Sequence, residues 1–358
     1  MSTAIFSYYL EVLSYSEESI WATRTRMKNF LKTSDLDGAE LNRMLESAFD
    51  IKSGRRSEKP LAGRSVALVF FNPSLRTRAS MQVGIYELGG NPVVLEPGGT
   101  SWTLEHHESA VMDADKTEHL KEFVRVLERY VCAIGVRTFA ELNDWEVERT
   151  DPILNAFARY ASVPIINLES AMHHPCQAMA DMMTIREKLG GKKRRILLTW
   201  AWHPKPLPMA VPNSFALAAV QFGHDLRIAH PSGYELDDQL LSEIASQAEQ
   251  NGGSVEFTTN VNEAFDDAEV VYAKSWGSKQ FYGALETEMA FRADMRQSWT
   301  VDAEKMSKTA NAIFMHCLPV RRNVVVTDEV IDGKNSVVID EAENRLHIQK
   351  AIMTELIR

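Results

Sequence analysis

Two kinds of hydrophobic pattern alternate along this chain. Short runs with little polar interruption, Val66 to Phe71, Val131 to Val136 and Val163 to Asn167, predict strands buried on both faces. Between them lie stretches with a 3.6-residue stripe, such as Asp115 to Tyr130 with Leu120, Phe123, Val124 and Leu127 on one face, and these predict covering helices. A further helix is expected to start at Thr33–Leu36 and run through Leu41, Met44, Leu45 and Phe49, another over Met81 to Leu88, and a strand over Pro92 to Leu95. Strands alternating with helices about every 30 residues indicate a parallel sheet covered on both faces. After a linking helix, Ala178 to Leu189, the rhythm restarts with strands expected at Arg195–Trp200, Asp225–His230, Val255–Thr258, Glu269–Ala273 and Ala312–His316. A last helix opens near Asp340. The first 30 residues read as a poorly anchored helical extension.

A chain of 358 residues exceeds what one core usually supports. The expected fold is therefore α/β, two doubly wound domains with parallel sheets: residues 1–177 completed by a C-terminal helix over 341–358, and residues 178–340. A formal charge of −10 argues against a general nucleic-acid binder while leaving room for a local basic pocket. No apolar run approaches a membrane span, and the start of the chain lacks the basic and small-residue marks of a signal peptide. Three widely spaced cysteines fit a reducing cytoplasm, with no disulfide frame or cysteine zinc site.

Ligands of open α/β sheets sit beyond the carboxyl ends of the strands, and the chemistry-bearing residues fall there. The first strand gives way to Asn72-Pro73-Ser74 and then Leu75, Arg76, Thr77, Arg78. A helix beginning at that point aims free N–H groups outward beside two guanidinium groups, which reads as a phosphate site or as a capped helix with a solvated basic turn. Arg137, Glu169 and His174 follow the next strands, Lys274 ends a strand of the second unit, and His316-Cys317-Leu318-Pro319 ends the last, with Arg321 just beyond. The first strand of the second unit runs into Trp202-His203-Pro204-Lys205-Pro206-Leu207-Pro208, without the glycines of a dinucleotide fingerprint, so a nucleotide-dependent dehydrogenase is disfavoured. His203, His224 and His230 read as structural. Glu105, His106, His107 and Glu108 read as a solvated surface and not a metal site. A Cys317 nucleophile served by His316 is disfavoured because strand neighbours face opposite ways. Trp102, on the glycine-rich loop Pro97–Trp102, reads as a ligand or partner contact.

With Ser74-Leu75-Arg76-Thr77-Arg78, His174-Pro175-Cys176-Gln177 and His316-Cys317-Leu318-Pro319 in order, the chain from about residue 30 onward resembles the aspartate/ornithine carbamoyltransferase family. The resemblance implies an enzyme whose first domain holds carbamoyl phosphate and whose second holds the amine substrate. It also implies a homotrimer with active sites shared between subunits, and no metal or organic cofactor. It assigns Ser74, Leu75, Arg76, Thr77 and Arg345 to the phosphate, and Arg137, His174 and Gln177 to the carbamoyl group. Cys317 and Leu318 are assigned to the reacting carbon, and Trp102 to the loop that a neighbouring subunit supplies.

Ala273-Lys274-Ser275-Trp276-Gly277 and the proline-rich loop resemble the branch that acts on N-acylated ornithine, where that loop joins a knotted crossing. Acylation removes the α-amine's charge, so a cation can serve the carboxylate. Glu169, Lys274 and Arg321 are the expected contacts to that substrate. Two positions bear on the acyl group: Val325 stands where acetylornithine enzymes carry a lysine, and Thr117 where they carry a glutamate. Loss of a carboxylate removes repulsion toward a second substrate carboxylate, so N-succinyl-L-ornithine is expected ahead of N-acetyl-L-ornithine. Ornithine itself or a catalytically silent binding subunit are the remaining readings.

Overall fold

The computed structural model describes residues 29–357. The helical extension expected at the start of the chain falls outside them up to residue 28, and Phe30 is extended, exchanging backbone hydrogen bonds with Ile165 and Asn167.

Strands β1 (Ser65–Phe70), β2 (Asn91–Leu95), β5 (Ala133–Arg137) and β6 (Ile165–Glu169) form one parallel sheet in the order β2-β1-β5-β6. Strands β7 (Arg195–Trp200), β8 (Asp225–Ala229), β9 (Ser254–Thr258), β10 (Val270–Lys274) and β11 (Ile313–Met315) form a second, in the order β11-β10-β7-β8-β9. A minor parallel pair joins β3 (Leu104–Glu105) to β4 (Glu118–His119). The principal helices are α1 (Gly38–Lys52), α2 (Arg76–Glu87), α3 (Leu120–Leu127), α4 (Pro152–Tyr160), α5 (Pro175–Leu189), α6 (Ala210–Gln221), α7 (Asp238–Gln250) and α8 (Val338–Leu356). This is the expected two-domain α/β architecture with parallel sheets. Helix α5 leads from one sheet to the other, and α8 returns to pack on α5, α1 and α2.

Local chemistry explains where elements begin. Helix α1 starts at Gly38 and not at Thr33, because Asp37 accepts the Glu40 N–H while Glu40 reaches back to the Asp37 N–H, a reciprocal cap that Thr33–Asp35 precede as a 3-10 turn. The helix expected over Asp115–Tyr130 shortens to α3, since Glu118 and His119 are held extended against β3 and His119 caps the helix. Helix α5 opens at Pro175, whose missing N–H costs nothing in a first turn. That fixes His174 at the cap and Gln177 one turn in. Gly135 permits β5 to lie close to its neighbours: a Cβ there would fall 2.9 Å from Leu168.

Candidate active site

Both sheets reverse their winding beside the same cleft. In the first, β2 lies on one side of β1 and β5 on the other; in the second, β8 and β10 flank β7 in the same way. Crevices open at such switch points. The carboxyl ends of these strands border one cavity of about 480 Å³.

From the first domain come Ser74, Arg76 and Thr77 at the start of α2, Arg137 and Phe139 after β5, Glu169 at the end of β6, and His174 and Gln177 at the start of α5. From the second come Lys274 at the end of β10 and Ser275 just after it, His203, Leu207 and Pro208 of the proline-rich loop, and the run His316 to Arg321 with Val325. Arg345 of α8 completes the lining. Sequence reading did not single out Phe139, Leu207, Pro208 or Ser275, and it took His203 for a structural residue. All of them border the cavity, and only the proline-rich composition of the loop hinted at it.

Helix α2 begins without a side-chain cap, so its first N–H groups remain available toward the cavity. Thr77 and Arg345 are joined there, Arg345 Nη2 donating to Thr77 Oγ1 at 2.9 Å. Arg345 Nη1 donates to Gln177 Oε1 at 2.5 Å. Arg78, grouped with Arg76 from sequence, turns away to pair with Glu96. Arg76, Lys274 and Arg321 line the cavity and form no ion pair among the described residues. In an acidic protein, three unopposed cations around one void are a concentrated anion site. Arg137 differs: Glu169 accepts its guanidinium, which also lies 4.5 Å from the Phe139 ring centre.

The same Glu169 carboxylate is 3.5 Å from His174 Nε2. Burial, helped by Arg345 and Arg137, holds the His174 imidazole well below its usual range, so it is neutral at pH 7 and acts as a hydrogen-bonding group. Burial pushes the Cys317 thiol up against the pull of Lys274, and His316 Nδ1 already accepts the Leu318 N–H at 2.9 Å. Neither an activated thiolate nor a free histidine base stands at this position. Leu318 adopts a left-handed backbone, φ 53°, that turns the chain back along the cavity wall.

Three expected site residues lie elsewhere in this chain. Leu75 caps α2 with its side chain 79% exposed, Trp102 is 59% exposed with its indole donating to Glu118 at 2.7 Å, and Thr117 is exposed in the loop before β4. The loop that carries the latter two projects from the first domain. Glu105, His106 and His107 do converge, with Glu105 ending β3 and the two histidines following it. The carboxylate is consumed, however, accepting the backbone N–H groups of both histidines and the Lys116 ammonium.

Residues 28–187 match the aspartate/ornithine carbamoyltransferase carbamoyl-P binding domain, and residues 209–356 match the Asp/Orn binding domain of the same family. The chain belongs to the aspartate/ornithine carbamoyltransferase family. It is 45% identical over 335 residues to an N-acetylornithine carbamoyltransferase of Xanthomonas campestris pv. campestris, covering 92% of this chain and 98% of the relative. It is 38% identical over 334 residues to an N-succinylornithine carbamoyltransferase of Bacteroides thetaiotaomicron, covering 92% and 99%. Among solved structures, an N-acetyl-L-ornithine transcarbamylase in which proline replaces one glutamate, complexed with carbamyl phosphate and N-succinyl-L-norvaline, matches with a TM-score of 0.89 and 44% identity, covering 92% of this chain and 99% of that one. This carbamoyltransferase therefore falls with the N-acylornithine branch, as the sequence motifs indicated. No described helix is long and apolar enough to cross a membrane.

Proposed function

We propose that this carbamoyltransferase moves the carbamoyl group of carbamoyl phosphate to the δ-amine of N-acetyl-L-ornithine. The reading is carried by one cavity in which an uncapped helix start, Arg76 and Arg345 meet Lys274 and Arg321 across a neutral, hydrogen-bonding centre. Ser74, Thr77, Arg76, Arg345 and the first N–H groups of α2 hold the phosphate. His174, Thr77 and Arg137 stabilise the negative charge that grows on the carbamoyl oxygen, a type of contact commonly worth a few kcal/mol per donor. The lone pair of the neutral δ-amine forms the new C–N bond, the C–O bond to phosphate breaks, and the amine's proton leaves with the phosphate. Gln177 acts through its grip on Arg345, and Cys317 and Leu318 shape the wall beside the reacting carbon. Lys274 and Arg321 are the cations for the substrate's carboxylate, with Glu169 the acid on that side.

The acetyl reading rests on overall likeness, 45% identity against 38% for the succinyl relative. It departs from the succinyl expectation built on Thr117 and Val325. Succinyl stays as a second reading for two reasons. Val325 lines the cavity with an apolar side chain, and the solved relative that has lost one glutamate is complexed with an N-succinyl ligand. We further propose a homotrimer in which the loop bearing Trp102 and Thr117 closes over a neighbour's cavity; the exposure of both side chains supports it.

The test is formation of citrulline derivatives from carbamoyl phosphate with N-acetylornithine, N-succinylornithine and ornithine side by side. Preferred turnover of the acetyl compound is expected. Preference for the succinyl compound selects the second reading, and turnover of ornithine alone overturns the branch assignment.

A further inference from the structure

Behind the cavity wall lies a set of buried polar groups that the displacement above does not use. Asp181, in the second turn of α5, and Glu341, in the first turn of α8, are both fully buried. One nitrogen joins them: Gln177 Nε2 donates to Asp181 Oδ1 at 2.7 Å and to Glu341 Oε1 at 3.0 Å. The oxygen of that amide is the one gripped by Arg345, which in turn holds Thr77. On its far side Glu341 Oε2 accepts the His316 backbone N–H at 3.0 Å. The cluster thus ties α5, α8, the start of α2 and the loop after β11 into one unit at the phosphate end of the cavity.

Two carboxyl groups bridged by one amide nitrogen and sealed from water repel each other too strongly to ionise together. The groups that face them are Arg345 from α8, Tyr272 from β10, Cys317 and His316 after β11, and Cys176 on α5 beside Arg345. Only one of these, Arg345, is a cation at neutral pH. One negative charge on the pair matches it; two would cancel the field that Arg345 offers to a ligand.

We infer that Asp181 and Glu341 share one proton and serve as positioning residues, holding the Gln177 amide, and through it Arg345 and Thr77, with one negative charge in place of two. This rests on reading the cavity as the carbamoyl-phosphate site. Burial and mutual repulsion raise both carboxyls, which titrate as a pair. A raised acid is neutral at low pH and loses its proton as pH rises. Deprotonation therefore places a second negative charge behind Arg345 and weakens its hold on a phosphate dianion.

Steady-state kinetics of the whole enzyme from neutral to about pH 9.5, with carbamoyl phosphate varied, test this. The wild-type KM for carbamoyl phosphate is expected to rise roughly 10-fold across that range while kcat changes less. Asp181→Asn keeps an acceptor for Gln177 and supplies a permanent N–H toward Glu341 in place of the shared proton. Its KM at neutral pH should lie within about 3-fold of wild type and the alkaline rise should vanish, whereas Asp181→Ala should raise KM at least ~10-fold at every pH. A wild-type KM flat with pH overturns the inference. So does an alkaline rise that survives in Asp181→Asn, or equal impairment of the Asn and Ala variants at neutral pH. If Asp181→Ala does not fold, the Asn variant decides alone. A wild-type enzyme that does not turn over carbamoyl phosphate refutes the reading of the site and not the pairing.

Discussion

The two walls of the cavity are built on different principles. The wall from the first domain is a cross-linked polar lattice: Thr77, Arg345 and Gln177 are joined by hydrogen bonds, and Arg137 is held by Glu169. The wall from the second domain is mostly shape, with Leu207, Pro208, Val320 and Val325 and two cations, Lys274 and Arg321, that form no ion pair among the described residues. A lattice of fixed donors suits a small invariant anion, since little reorganisation remains when it arrives. A wall of apolar shape with a few charges suits a substrate whose variable acyl group is selected by fit. The contrast explains how carbamoyl-phosphate chemistry can stay constant across a family that differs in its second substrate.

The largest effect should come from the first wall. Arg76→Ala removes an unpaired cation from the phosphate end and is expected to lower kcat/KM at least ~100-fold. Arg78→Ala, two residues on, removes a charge already spent on Glu96 and should cost less than about 3-fold. Steady-state kinetics of both variants measure this. Comparable losses in the two would mean that general positive charge matters and the placement of Arg76 in the cavity does not.

Next in size is the second wall. Lys274→Ala should raise KM for the acylated ornithine about 10-fold and leave KM for carbamoyl phosphate near its wild-type value, because Lys274 lies across the cavity from the start of α2. Initial rates with each substrate varied in turn provide the measurement. A rise in both constants together would dissolve the division between the walls.

The same contrast governs how much could be read from the chain. Much of the first wall lies in short motifs at or just beyond strand ends, so Arg76, Thr77, Arg137, His174 and Gln177 were legible, as was the alternation that builds both sheets; Arg345, inside α8, was reached only through the family resemblance. The second wall depends on where a loop without regular structure folds. The proline-rich loop is pinned by the Trp202 indole donating to the Arg292 carbonyl at 2.7 Å and by the Gly277 N–H on the Leu207 carbonyl at 2.8 Å. Behind it, buried Arg292 donates to Ser275 and pairs with Glu288. No local pattern announces contacts of such sequence separation. Helix α6 is buried on every side and so lacks the polar stripe that betrays a helix. Leu75, Trp102 and Thr117 are the opposite case: their motif positions were legible, but a single chain does not bring their side chains to its own cavity.

The smallest expected effect is read through proton uptake. His173, which lines a separate pocket with Lys32 and Glu243, and His203, in the second wall, are both held at about 4, each by burial first. Lys32 adds to this at His173, and Arg321 and Lys274 add to it at His203, against an opposing hydrogen bond with Lys205. A histidine depressed in the folded protein stays neutral while the unfolded chain, with its imidazole near 6.5, takes up a proton. Stability from these groups is therefore complete above about pH 6.5 and is lost as pH falls toward 4. At pH 5 the loss from His173 is at most about 2 kcal/mol. His203, open to the cavity and screened by solvent, contributes less. Melting temperature measured from pH 7 down to 5 should fall by a few degrees. His173→Gln and His203→Gln should each flatten part of that fall, since each removes one depressed imidazole. A fall left unchanged by both variants would show that protons are taken up on unfolding by other groups.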